Sequence, residues 1–173
     1  MPIEPRAFRQ TVGQFVTGVT VIATEVDGSI RAMTANSFTS LSLEPPLVLF
    51  CVGKTAHLSA HISDATGFSV NILAQSQQDL STYFAGGWKQ ASPPPFDFIG
   101  WDGVHRLDGC AAALGCSVET IYEGGDHWIV IGRVLSLYRS EQAGPPLVFC
   151  AGRYASLAEA ADQETAVRIK QSG

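Results

Sequence analysis

Charge is scarce in this chain: Asp, Glu, Lys and Arg make up 16% of the 173 residues while 46% are hydrophobic. So apolar a composition buries enough surface to offset chain entropy, which excludes intrinsic disorder. Long apolar runs are missing as well. The longest, Leu47 to Val52, falls far short of the ~18 residues that mark a membrane-spanning helix. Positive charge is the scarcer sign, with 11 Lys and Arg against 16 Asp and Glu, a formal charge of -5 and a pI near 5.2. Without a basic block, electrostatic binding to nucleic acid is not expected. Met1 to Gln10 has neither the apolar centre nor the small-residue cleavage site of an export signal, so cytoplasm is the expected compartment and no membrane partner is expected. At 18.4 kDa the length suits one domain with a sizeable core, over residues 1–173.

Several motifs are also missing. The four cysteines, Cys51, Cys110, Cys116 and Cys150, form no Cys-x-x-Cys pair and read as small buried hydrophobes. His57 and His61 share the i, i+4 spacing of a metal pair, yet no third ligand has suggestive spacing, so no metal is expected. No Gly-x-Gly-x-x-Gly follows a strand, and Walker and Gly-x-Ser-x-Gly patterns are absent. A dinucleotide must therefore bind by a route other than a Rossmann domain.

What is present reads as hairpins with inserted helices. Phe8, Val12, Phe15 and Val16 predict an amphipathic helix over 5–16. Val19 to Thr24 and Ile30 to Ser42 flank Asp27-Gly28, the chemistry of a hairpin turn. Leu47 to Val52, after Pro45-Pro46, predicts a central strand buried on both faces. Thr55 predicts the cap of a helix through Ile62, Phe68 to Leu73 another strand, and Ser76 to Asp79 a capping box that opens a helix through about Phe84. Residues 86–109, with Gly86-Gly87 and Pro93-Pro94-Pro95, predict a long loop. Ala111 to Tyr122 and His127 to Tyr138 flank Gly124-Gly125-Asp126 as a longer hairpin, with Ile129, Ile131, Leu135 and Leu137 on one face together with His127 and Arg133. Leu147 to Cys150 and a helix over Leu157 to Val167 complete the reading. This pattern predicts a mainly β fold, a closed barrel with peripheral helices rather than a parallel sheet.

Three places carry candidate chemistry. Thr34 to Ser42 sets short uncharged donors and acceptors among Ala and Phe, which suits a flat heteroaromatic ring such as a flavin and equally suits a solvated strand. Lys54-Thr55, at the end of the apolar strand, offers an ammonium and a hydroxyl to a phosphate, or simply begins a capped helix. His127, next to a turn, titrates near neutrality and either serves a ligand or touches only water.

Taken together, Met33-Thr-Ala-Asn-Ser-Phe-Thr-Ser-Leu-Ser-Leu-Glu-Pro-Pro-Leu-Val48, Phe68 to Leu73, Tyr83-Phe-Ala-Gly86, Gly125-Asp-His127 and Gly152-Arg-Tyr154 resemble the short-chain flavin reductase family, from about Phe8 to Leu157. The resemblance implies a split β-barrel of the FMN-binding flavin reductase type, a homodimer that reduces FMN or FAD with NADH or NADPH and supplies reduced flavin to a partner monooxygenase. It places Thr34, Ala35, Asn36 and Ser37 along the flavin ring, with Ser42 on the ribityl side. Cys51, Val52, Gly53, Lys54 and Thr55 would hold ribityl and phosphate, and Ser59 would reach the phosphate region. Phe84 and Ala85 would close the pocket, His127 would stand at the nicotinamide as the catalytic residue, and Arg153 and Tyr154 would border the same cleft. Two small departures are Glu44 in place of Asp and Ala32 in place of Gly. The alternatives are a flavin-binding electron carrier, or an oxidase of small amines or a ferric reductase, on the same barrel.

Overall fold

The computed structural model describes residues 2–63 and 65–158. In chain order it contains α1 (Pro5–Val12), β1 (Thr17–Gly18), β2 (Thr20–Val26), β3 (Ser29–Ala35), β4 (Thr39–Leu43), β5 (Pro46–Gly53), β6 (Phe68–Ile72), α2 (Gln78–Phe84), β7 (Phe98–Trp101), β8 (Val104–Leu107), β9 (Ala112–Gly124), β10 (His127–Arg139), β11 (Val148–Cys150) and β12 (Arg153–Ala155). The expected terminal helix lies almost entirely outside the described residues.

Seven strands pair antiparallel in the order β3-β2-β6-β9-β10-β5-β4. The two outermost strands, β3 and β4, are consecutive in the chain and separated only by Asn36-Ser37-Phe38, so the sheet must curl until its edges nearly meet. The result is the mainly β, split-barrel architecture that the family resemblance implies, and not the closed barrel expected from the hairpin pattern, because the two edge strands do not pair. No ladder joins β3 to β4, and the extended arm predicted through Ser42 is interrupted there. At that seam the Ser37 hydroxyl accepts from the Cys51 amide and donates to the Cys51 carbonyl, both at 3.0 Å. One side chain thus does what a neighbouring strand's peptide would do for β5.

Two apolar clusters cover the two sides of the sheet. Ile22, Phe50, Val52, Phe68, Val70, Cys116 and Val130 fill the inside. Val19, Val21, Leu73, Leu80, Leu107 and Leu147 pack outside under α2. β2 contributes to both, and β6, with Phe68 and Val70 on one face and buried Ser69 and Asn71 on the other, is likewise buried on both faces. The strand expected to be central and doubly buried, β5, instead lies next to the edge and alternates, with Val48, Phe50 and Val52 inward and the intervening residues half-buried. Its apolar run is continuous because the outward face of this part of the sheet is apolar too. On β10, Val130 and Gly132 face the core, while Ile129, Ile131, Leu135 and Leu137 face out, the last two 67% and 75% exposed.

Several local expectations are corrected. The first helix stops at Val12, capped by Gly13, and buries none of its residues. Thr55 caps nothing: a turn closes by an Ala56 N–H to Gly53 carbonyl bond of 2.9 Å, and a short 3-10 helix covers only His57–Ala60. No side chain caps α2; Gln77 instead closes the 3-10 turn before it, accepting from the Ala74 N–H at 3.1 Å and donating to the Asp108 carbonyl at 2.8 Å. The long loop contains the β7–β8 hairpin, turning at Asp102-Gly103. Buried Asn71 pins that hairpin by accepting from the Leu107 N–H at 2.8 Å while donating to the Val21 carbonyl at 3.0 Å. A strand after Gly152, β12, was not expected.

Candidate active site

The seam brings most of the singled-out residues to one end of the barrel. On its β3 side, a cleft of about 180 Å³ is lined by Val19, Thr34, Asn36, Ser81, Ala85, Phe149 and Tyr154. Thr34 donates to the Ser81 carbonyl at 2.7 Å, and Tyr154 donates to the Ser81 hydroxyl at 2.9 Å, so β3, α2 and β12 are tied around the same serine. The Tyr154 ring stands edge-on to Phe149, with centroids 5.4 Å apart. Asn36 is exposed and its amide has no partner among the described residues. Apolar walls with one free amide, its neighbours already satisfied, fit the edge of a flat polar ring.

On the β5 side the ammonium of Lys54 is ion-paired with Glu123 of β9 and lies 4.8 Å from the centre of the Trp128 ring. The Lys54 N–H donates to the Asp126 carbonyl at 2.9 Å, fixing the stem on the β9–β10 turn. That turn is possible because Gly125 takes φ +70°. The hydrogen bond from Lys54 holds the Glu123 carboxyl below its ordinary value. Asp126 is lowered first by its hydrogen bond with His127 and, more weakly, by the field of Lys54.

His127 pairs with Gly53 across the β10–β5 ladder. A carboxylate can only accept, so the 2.8 Å contact from Nδ1 to Asp126 Oδ1 places the ring proton on Nδ1. Nε2 then carries the free lone pair and faces the end of β5, 3.8 Å from where a Cβ on Gly53 would stand.

The other expected site residues do not line the cleft between β3 and α2. Val52 is fully buried in the core and Ala35 is nearly so. Ser59 donates to the Lys54 and Ala56 carbonyls at 2.8 and 2.7 Å, shaping the turn around Lys54. Thr55 is exposed. Phe84 packs edge-on to Phe96 with centroids 5.0 Å apart. Arg153 is exposed on β12, and Ser42 pairs with Leu47, six residues along β5 from Gly53, or about 20 Å at strand rise. Ser81, Phe149 and Glu123 were missed, since each reaches the site by folding from a segment without any motif. Among the described residues no three His, Cys, Asp or Glu are grouped to hold a metal, and no helix is long and apolar enough to cross a membrane.

Residues 12–158 match the family described as flavin reductase like domain. A curated relative, the reductase subunit HsaB of a flavin-dependent monooxygenase from Rhodococcus jostii, is 42% identical over 159 residues, covering 90% of this chain and 79% of its own. Among solved structures, flavin reductase PheA2 superposes with a TM-score of 0.85 at 38% identity, over 91% of this chain and all of its own. The NADH:FAD oxidoreductase SgcE6 of Streptomyces globisporus, in complex with NAD and FAD fragments, gives 0.82 at 34% identity, over 94% and 99% of the two chains. With a split barrel, a polar seam and matches that span nearly the whole described chain, this protein belongs to the flavin reductase-like domain family.

Proposed function

We propose that the protein is an NAD(P)H-dependent flavin reductase that reduces FMN or FAD and passes the reduced flavin to a monooxygenase component. The observation that carries this reading is the seam. It is a cleft with apolar walls and a free Asn36 amide, continuous through the Ser37–Cys51 bonds with a turn that presents Lys54. Flavin and nicotinamide, when bound, supply the hydride chemistry themselves, so no protein nucleophile is needed. The residues of this chain bind and orient. Thr34, Asn36, Ala85 and Tyr154 border the ring site, Lys54 and Thr55 meet the phosphate, and His127 offers Nε2 on the nicotinamide side, held in that tautomer by Asp126. Beyond Ala85 a groove of about 740 Å³ passes Arg31, His57, Phe84, Phe96 and Phe98, giving space for the rest of a nucleotide. The likeness to a monooxygenase reductase subunit supports an oxygenase as recipient, and the need for reduced nicotinamide supports work in the cytoplasm.

The outward apolar face of β10 and the unburied α1, with Phe8 57% exposed and Phe15 just beyond the helix 77% exposed, support a homodimer in which a second copy covers both. Residues 1–173 act as one functional unit on this reading.

The test is absorbance of the reduced nicotinamide with purified protein, NADH or NADPH, and excess FMN, FAD or riboflavin under air. Catalytic oxidation that depends on added flavin is expected. Tight flavin binding without oxidation of either nicotinamide would instead indicate a carrier.

A further inference from the structure

Lys54 is the cation expected to meet a flavin phosphate, yet the fold gives it another partner. Glu123 pairs directly with Trp128 across the β9–β10 ladder, so its carboxylate and the indole share one face of the hairpin. The Lys54 side chain lies across both, its ammonium on the carboxylate and over the ring. Asp126, whose carbonyl anchors the Lys54 amide, brings a second carboxylate into the same field. The ammonium is therefore already paired with one carboxylate, the Asp126 carboxylate being bonded to His127 instead, and a phosphate that approaches meets no unpaired positive charge while Glu123 remains in place.

We propose that Glu123 is a built-in stand-in for the flavin phosphate. It holds Lys54 when the phosphate is absent, must give way as the phosphate arrives, and reclaims Lys54 as flavin leaves. Glu123 is thereby a specificity residue: it lowers the advantage that a phosphate-bearing flavin has over riboflavin and speeds release. An enzyme that must surrender its flavin gains from such an exchange, because the departing phosphate is replaced at the ammonium instead of leaving an unpaired charge. The Glu123 side chain is 68% exposed and that of Lys54 30%, so the competition is modest in size and the carboxylate is free to swing into water.

This inference rests on the reading of Lys54 as a phosphate contact, and the experiment separates the two. FMN and riboflavin affinities are measured by flavin fluorescence at low salt for wild type, Glu123→Gln, Lys54→Ala and the double variant, with FMN dissociation rates by stopped flow. Glu123→Gln is expected to tighten FMN about two- to fivefold, the range of an exposed ion pair, and to slow its release by a similar factor. Riboflavin affinity stays unchanged. In the Lys54→Ala background the gain disappears. If Lys54→Ala lowers the FMN preference while Glu123→Gln leaves it unchanged, the inference fails and the phosphate reading stands. An equal gain with and without Lys54 makes Glu123 a merely repelling charge and also overturns it. If Lys54→Ala leaves the ratio of FMN to riboflavin affinity at its wild-type value, the phosphate reading itself is wrong.

Discussion

Gly132 is a position where the barrel has no room for a side chain. A Cβ added there would stand 2.4 Å from Phe68 Cζ, 3.0 Å from its Cε1 and 3.2 Å from the Cys116 Cβ, where carbon atoms prefer about 3.5–4.0 Å. Phe68 is fully buried and edge-on to Phe50, with ring centroids 5.3 Å apart, so its ring has nowhere open to retreat. The ladder also shifts register between Ile131 and Gly132, a bulge that lets the strand pass close under the ring. Overpacking of this kind costs about 1–3 kcal/mol, and removing a strand glycine returns about 0.5–1 kcal/mol. Gly132→Ala should therefore destabilise by about 1–2 kcal/mol, which at a few degrees per kcal/mol lowers Tm by about 2–8 °C. Thermal and guanidinium unfolding of ligand-free protein measure it. Gly100→Ala is the control, because its Cβ meets nothing within 4 Å. Adding Phe68→Leu to Gly132→Ala should cost less than the sum of the two single losses. A Gly132→Ala protein that melts at or above wild type, or strictly additive losses, would refute the reasoning.

His127→Ala should lower turnover or raise the NADH KM while flavin affinity changes less; unchanged steady-state kinetics would remove His127 from the mechanism. Leu135→Asp with Leu137→Asp, both on the outward face, should turn the proposed dimer into a folded monomer by light scattering, and a wild type that is itself monomeric would contradict the dimer. Cys116 is buried, and desolvation pushes its thiol from 9.0 up to about 12. Between those values the fold keeps a proton that the unfolded chain has lost, so this thiol makes stability fall above pH 9 by up to about 1.4 kcal/mol per pH unit. Guanidinium midpoints from pH 8 to 11 should fall less steeply for Cys116→Ala, and parallel curves would contradict the assignment.

The parts of the fold that were legible in sequence depend on local chemistry. Gly124-Gly125-Asp126 announces a tight turn and leaves little doubt about the strands on either side. The Asp102-Gly103 turn offered a similar signal, eclipsed by the three prolines before it. The place of β5 was not legible: an apolar run reads alike whether its second face meets protein core or an uncovered outer surface. For the same reason Ile129, Ile131, Leu135 and Leu137 were recognisable as one face, but not as the outward one. In the site, Thr34 to Ser37, Lys54 and His127 stood out through residue type and order. The Tyr154 hydroxyl between Ser81 and Thr82, and the Glu123 carboxylate on Lys54, arise only when distant strands and helices meet.

The seam between β3 and β4 has a mechanical side. A sheet that ends on two consecutive strands is held shut by whatever bridges them, and the Ser37 hydroxyl on Cys51 is one such bridge. A flavin seated over Asn36 and Ser37 would touch both ends of the sheet and act as its fastener. Loading at a hundredfold excess over Kd would then add about 2.7 kcal/mol to the folded state. Delivery of the flavin removes that clasp, so each turnover would leave the barrel at its loosest when the next flavin has to enter.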